Sequence, residues 1–453
     1  MTDDPARSAP QARSAQPVPS ALVFVGPRTK GLRLSRDHRL DELRAQLAIQ
    51  PRRVDDDWFG WPLLTLDDAA LSHNIDTMAG LCRDHGLWHA PHVKTPMSAD
   101  LWLRQAAAGA WAATVAMPHQ LRAARDWGAR RVLLANELVD LRDARWLVAE
   151  LDRDPLFQVW LEVDSDAGIS VLASALAGAS ADVRARLRPL VEVGVPGGRT
   201  GARTAEQAVA LTRRLIAERL RVDGVIGFEG TVAPDASAAS LGAVRDWVET
   251  LLAIAREVER ASAQWRAACP SGPIDPFLVS VGGSAYLDVV APALAALPAR
   301  GWQGVLRSGA YLTHDHVHYA ELNPWSRLPD GRRLDPAITI WAQVLSVPEP
   351  GLALLGAGRR DVPYDLDAPV PLWWRRPAAH GRLGAPTLFH QTARVRGFDD
   401  QHAFLVLDDR PAPLAVGDVV GLGISHPCTA FDKWRLAAVT RGDDVIDLYP
   451  LDF

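Results

Sequence analysis

The strongest constraint on this chain is a regular alternation, between residues 87 and 306, of short apolar β-prone segments with helix-patterned ones. Eight strand candidates follow one another, at 87–93, 111–116, 131–135, 157–163, 189–195, 224–228, 277–281 and 304–306. Between them lie segments with helical spacing, among them 98–108, 118–127, 205–220 and 239–263. The punctuation agrees with that reading: Ser98 suits an N-cap, Pro118 a first helical turn, and Gly109 and Gly128 suit helix ends. Eight strands alternating with helices predict a parallel α/β architecture, a (β/α)8 TIM barrel. An open doubly wound sheet is the alternative, because a boundary error of a few residues creates or hides a strand.

The flanks read differently. Residues 1–20 are rich in Ala, Pro, Ser and Arg, too poor in bulky apolar groups to offset ordering entropy, and predict a disordered tail. Residues 21–60, with an amphipathic stretch at 40–47, form an N-terminal extension expected to pack on the C-terminal domain, with a partner subunit as the alternative. The barrel is expected over 61–315. At its start Thr65 and Asp67 offer N-caps for a helix whose apolar residues are Leu71, Ile75, Met78 and Cys82, and Gly86 stops it. After residue 336 the texture changes to short β-rich runs at 338–347, 392–396, 402–407, 419–424, 436–440 and 445–449. Turn signals such as Gly397-Phe398-Asp399-Asp400 and Arg441-Gly442-Asp443-Asp444 separate them. Residues 316–453 are therefore expected to be a second, all-β domain.

Composition excludes several classes. The 453 residues carry a net charge of −5 with no dense basic patch, which argues against nucleic acid or an anionic membrane as partner. Three cysteines, Cys82, Cys269 and Cys428, make no disulfide framework. No run approaches the ~20 apolar residues of a transmembrane helix, and 21–25 is too short for a signal peptide core. A cytoplasmic protein is expected.

Chemistry in a parallel barrel sits where the strands end. The first strand ends in Pro91-His92-Val93-Lys94-Thr95. A lysine there is partly desolvated, which frees its amine for Schiff-base chemistry; the plainer reading is a lysine snorkelling at the rim. The fifth strand runs into Val195-Pro196-Gly197-Gly198-Arg199-Thr200-Gly201, where glycines let backbone approach a ligand and Arg199 suits a carboxylate or phosphate. A surface turn with a solvated arginine is the alternative. The seventh and eighth strands end in Val281-Gly282-Gly283-Ser284 and Arg307-Ser308-Gly309-Ala310-Tyr311. Loops after these two strands commonly cradle a phosphate, so the pair means more than either turn alone. In the β domain, Ser425-His426-Pro427-Cys428 places an imidazole and a thiol two residues apart, on one side of an extended chain. Such a pair favours Zn²⁺ and leaves positions open for water or substrate; a buried cysteine beside a turn histidine is the common alternative. His314, His316 and His318 also alternate, but read as a polar segment joining the domains at the mouth of the site.

Taken together, Pro91-His92-Val93-Lys94-Thr95, Leu133-Leu134-Ala135-Asn136-Glu137, Gly198-Arg199-Thr200-Gly201 and Ser280-Val281-Gly282-Gly283 resemble the D-serine dehydratase and D-threonine aldolase family. The resemblance runs from about Trp61 to the C-terminus. It implies an alanine racemase-like barrel with a β domain, pyridoxal 5'-phosphate as cofactor, and a homodimer with the active site near the subunit interface. Lys94 would carry the cofactor, with His92, Arg199, Gly282, Gly283, Ser284, Gly309 and Tyr311 around it, and His426 and Cys428 would bind a divalent metal, zinc by preference. The His-x-Cys pair resembles the dehydratase branch, whereas aldolases more often carry His-x-Asp. This chain departs from the family where the lysine motif continues Lys94-Thr95-Pro96-Met97, where the Arg199 loop holds an additional glycine, and where Phe228 stands in place of a frequent tyrosine.

The implied activity is β-elimination of water from a D-3-hydroxy amino acid, giving a 2-oxo acid and ammonia. Retro-aldol cleavage to glycine and an aldehyde is the nearest alternative. A racemase would leave the metal pair without a task. A non-enzymatic pyridoxal-phosphate regulator, or a sugar-phosphate barrel enzyme with an unmodified Lys94, represents the other classes.

Overall fold

A computed structural model describes residues 23–268, 276–378, 381–407 and 414–453. The disordered tail expected at 1–20 lies outside the described residues.

Eight parallel strands follow in chain order: Trp88–His89, Ala113–Val115, Arg131–Glu137, Gln158–Val163, Leu187–Val193, Gly224–Gly227, Phe277–Val281 and Trp302–Leu306. Each pairs with its neighbours in sequence order, and the eighth returns to the first through Val305–Trp88 and Leu306–His89. Trp111 N–H donates to His89 O at 2.7 Å and a parallel bridge joins His92 to Thr114, so the first and second strands close the barrel. The expected TIM barrel is present, with every strand within a few residues of its place. The sequence reading expected a helix from about Ala285, and Leu287–Ala295 supplies it; helices it did not name include Leu141–Arg153 and Asp166–Ala175.

Alternation along the strands builds the interior in layers. Ala90, Ala112, Leu133, Trp160, Leu190, Ile226, Leu278 and Val305 form an apolar plug. Two residues further along each strand, on the same side, stand His92, Thr114, Ala135, Glu162, Glu192, Phe228, Ser280 and Arg307. This upper layer is mostly polar and forms the floor of the barrel mouth.

The second sheet corrects one expectation. The strand Leu63–Asp67, read as the approach to the barrel, lies in the middle of the β domain, antiparallel to Ile338–Glu349 and parallel to Leu436–Arg441. Its pattern explains the placement: Leu63, Leu64, Thr65 and Leu66 are all buried, as a strand covered on both faces requires. Asp67 then caps the helix Asp68–Asp84 by accepting from Ala70 N–H at 2.8 Å, and the chain passes into the barrel. Thr65 caps nothing; its hydroxyl accepts from Trp341 Nε1 at 2.9 Å. The extension packs on the same sheet, where Leu40, Leu43 and Leu47 share a core with Trp341, Leu436 and Leu448. Among the described residues, no helix is long and apolar enough to cross a membrane.

Candidate active site

The mouth of the barrel gathers unusual charge. Glu162 and Glu192 sit on adjacent strands, each at the penultimate position, with 5 % and 8 % of their surface exposed. Burial, followed by the neighbouring Glu192 carboxylate, pushes Glu162 up to about 8, against the pull of Arg307 and Arg199. Glu192 is raised for the same first reason, burial, although Thr200 donates to its Oε1 at 2.6 Å. Arg307 is 2 % exposed and donates to Ser280 Oγ and Gly227 O, both at 2.7 Å. Burial pulls its pKa down while Glu162, Glu229 and Glu192 hold it up. Burial likewise lowers His92 well below the ordinary histidine range, helped by the positive charges of Lys94, Arg307 and Arg199.

Three buried polar atoms on this floor have no partner: His92 Nδ1, Arg307 Nε and Glu192 Oε2. Sealed polar atoms of this kind cost roughly 1–3 kcal/mol each unless something satisfies them. With Lys94 on the turn beside His92, they fit a polar, ring-sized group bearing anionic substituents. The residues present are therefore compatible with pyridoxal phosphate.

The glycine turn is partly occupied by the chain itself. The amides of Gly282 and Gly283 donate to the Glu229 carboxylate at 3.0 and 2.6 Å. Gly282 has a φ of +117°, open to glycine and strained for other residues, and a Cβ on Gly283 would meet Phe228 at 2.7 Å. Glu229 thus shapes the turn that the sequence assigned to phosphate, and Ser308 Oγ donates to Gly283 O at 2.6 Å from the eighth strand. Gly309 packs so closely that a Cβ would lie 2.7 Å from His92.

Tyr311 is not at the mouth. Its ring is buried behind the barrel wall, edge-on to His89 at 5.2 Å, and its hydroxyl donates to Gln105 at 2.8 Å. The structure therefore assigns it to packing. Arg199 lies exposed over the Phe228 ring at 5.0 Å, on a loop that Arg203 braces by donating to the carbonyls of Gly198 and Arg199. Gly201 N–H ties that loop to Asp164 at 2.8 Å.

The β domain delivers its pair to the same place. Thr95, the residue after Lys94, has its hydroxyl 3.9 Å from Cys428 Sγ. His426 Nδ1 lies 2.7 Å from Asp365 Oδ2. Burial disfavours charge on His426, yet Cys428 and Asp365 outweigh it and push the ring up to about 9. Imidazole and thiol converging beside a lysine turn suit a borderline-soft divalent ion. Among the described residues, no cluster of three or more histidine, cysteine or acidic side chains forms a complete metal cage. His316 is half-buried, with its backbone N–H donating to Ile424 O at 3.0 Å, whereas His318 meets the His426 ring edge-on at 5.6 Å.

The sequence reading gave no role to Glu162, Glu192, Arg307, Glu229 or Asp365, although Arg307 opens the motif quoted at the end of the eighth strand. A signal existed for the first two, since Leu161-Glu162-Val163 and Val191-Glu192-Val193 each set a carboxylate in an otherwise apolar strand. A separate cavity of about 660 Å³, lined by Arg256, Arg260, Arg266 and Arg300 among others, opens where the seventh and eighth strands begin, at the opposite end from Lys94.

Barrel and β domain together define the alanine racemase-like fold. An alanine racemase-like protein from Idiomarina loihiensis superposes with a TM-score of 0.63 at 15% identity, covering 86% of this chain and 96% of that one. More particularly, residues 337–440 match the family model described as a putative serine dehydratase domain. The D-threonine aldolase from Filomicrobium marinum matches with a TM-score of 0.69 at 22% identity, over 87% of this chain and 95% of that chain. D-threo-3-hydroxyaspartate dehydratase from Delftia sp. HT23 matches with a TM-score of 0.64 at 19% identity, over 87% and 97%. Two variants of a D-threo-3-hydroxyaspartate dehydratase share the fold: one replaces a histidine by alanine, the other a cysteine two positions further on, the latter in a metal-free form. No curated protein sequence matches the chain. Family model and fold neighbours support the resemblance drawn from the lysine and glycine motifs.

Proposed function

We propose that this chain is a pyridoxal-phosphate- and metal-dependent lyase that removes water from a D-3-hydroxy amino acid, giving a 2-oxo acid and ammonia. The observation that carries it is the meeting of two motifs from different domains, Lys94-Thr95 and His426-Pro427-Cys428, at 3.9 Å between Thr95 Oγ1 and Cys428 Sγ. A racemase or a carrier has no use for a thiol–imidazole pair at that position. When bound, pyridoxal phosphate supplies an electron sink at the α-carbon and a divalent metal, zinc by preference, supplies Lewis acidity to the β-hydroxyl.

Lys94 Nζ would anchor the cofactor, and its amine would serve as the base for the substrate's α-proton. His92, Arg307 and Glu192, with their unpaired polar atoms on the floor, would meet the cofactor there. Glu229 keeps the Gly282–Gly283 turn in shape, and that turn with Ser284 and Gly309 would hold the phosphate. Arg199, over Phe228 on its glycine loop, stands where it can meet an anionic group. His426 and Cys428 hold the ion on the hydroxyl side. The same reading carries a homodimer in the cytoplasm.

The His-x-Cys spacing, shared with the replaced pair in the dehydratase variants, favours elimination over retro-aldol cleavage. Borohydride reduction followed by peptide mass spectrometry is expected to find a phosphopyridoxyl group on Lys94. Products from D-threonine are then decisive for the reaction. 2-Oxobutyrate and ammonia support elimination, whereas glycine and acetaldehyde would transfer the chain to the aldolase reading.

A further inference from the structure

We infer that Asp365 is the positioning residue of the metal centre, orienting the His426 ring so that its second nitrogen and the Cys428 thiolate face one ion. This rests on the metal reading above and extends it to a residue 61 positions away in sequence.

Asp365 lies on the connection between the strands Leu352–Leu355 and Val370–Arg375. Its carboxylate is held at both oxygens by the two residues that flank the Pro427-Cys428 step. Oδ2 meets His426 Nδ1 at 2.7 Å and Oδ1 accepts from Thr429 Oγ1 at 2.6 Å. The connection itself is fastened three times. Ser425 Oγ donates to Asp367 O at 2.7 Å, Trp434 Nε1 donates to Asp361 O at 3.0 Å, and Lys30 Nζ pairs with Asp361 at 2.9 Å. Asp365 is itself exposed, but a carboxylate held at both oxygens is a fixed reference for the imidazole.

The chemistry follows from the tautomer. A histidine can bind a metal only through an unprotonated nitrogen, and the hydrogen bond at the other nitrogen decides which one that is. With Nδ1–H donating to Asp365, Nε2 is the nitrogen that would give up its proton and offer its lone pair to the ion. The carboxylate also raises the ring's basicity and stops it rotating, which matters more where the protein supplies two ligands than where it supplies four. Thr429, by pinning Oδ1, keeps the carboxylate aimed.

The test uses the full chain, loaded with pyridoxal phosphate, stripped of metal and titrated with Zn²⁺ against a chromophoric chelator. Asp365→Ala is expected to weaken Zn²⁺ binding on the order of 10–100-fold. Asp365→Asn should lose less, since its amide oxygen still accepts from Nδ1–H, and Thr429→Val should lose several-fold. Cofactor absorbance and metal-free melting temperature should stay at wild-type values, which a merely structural role would not allow. Unchanged Zn²⁺ affinity in Asp365→Ala overturns the assignment. Should that variant fail to fold, unchanged affinity in Thr429→Val does the same. Wild-type protein that takes up no Zn²⁺ removes the metal reading itself, and this inference with it.

Discussion

Replacing Glu162 by Gln should stabilise the cofactor-free protein at alkaline pH and leave it unchanged at acid pH. The group is 5 % exposed, and burial together with Glu192 raises it from the ordinary 4.5 to about 8. In the unfolded chain it ionises near 4.5; in the folded chain it keeps its proton until about 8. Below 4.5 both states hold the proton, so the group contributes nothing to pH dependence there. Between those values the folded state holds the extra proton, and stability falls by up to ~1.4 kcal/mol for each pH unit. Across the whole window the loss is on the order of a few kcal/mol, a large share of the ~5–15 kcal/mol that a folded domain commands. Glutamine keeps the shape and has no proton to lose. Urea unfolding of both proteins without cofactor, at pH 5, 6.5 and 8, reads the effect. The expected result is a difference of about 1 kcal/mol or less at pH 5 that grows to about 2–4 kcal/mol in favour of the variant at pH 8. A variant less stable at pH 8, or a difference independent of pH, would show that Arg307 already neutralises Glu162 in the folded chain.

Further outcomes follow from the same geometry. Lys94→Ala should give no phosphopyridoxyl peptide after borohydride and no lyase turnover, checked by mass spectrometry and a 2-oxo acid assay. Cys428→Ala should abolish elimination while the cofactor absorbance persists; full activity in that variant without metal would refute the role given to the ion. Glu229→Ala leaves the amides of Gly282 and Gly283 without their acceptor, at a cost of roughly 1–3 kcal/mol for each amide that water cannot reach, and should weaken cofactor binding, measured by fluorescence titration. Trp160→Ala removes a side chain 3 % exposed in the barrel plug, packed on Trp111 at 4.5 Å, and should cost about 3–5 kcal/mol in denaturant unfolding.

Much of the fold was legible because its signals are local. The strand–helix alternation lies within windows of ten to fifteen residues, and caps such as Pro118 mark helix starts in place. Lys94 could be found because the end of an apolar strand is visible in the strand itself. His426 and Cys428 could be paired because a spacing of two is a statement about adjacent chain. Tyr311 misled for the converse reason. It follows the eighth strand by the same rule, yet the short turn Ala310–Leu312 sends its ring behind the wall to Gln105.

What the sequence by itself determined was the type and order of elements, the barrel with its β domain, and the two motifs proposed to carry the chemistry. Tertiary structure alone decided that Leu63–Asp67 crosses into the second sheet, that Glu162, Glu192 and Arg307 share one floor, and that Asp365 holds His426 from 61 residues away. The physical reason is one of range. Helical and strand periods are set by neighbouring residues, whereas the register between distant strands, and the burial and charge coupling that come with it, exists only once the chain has closed on itself.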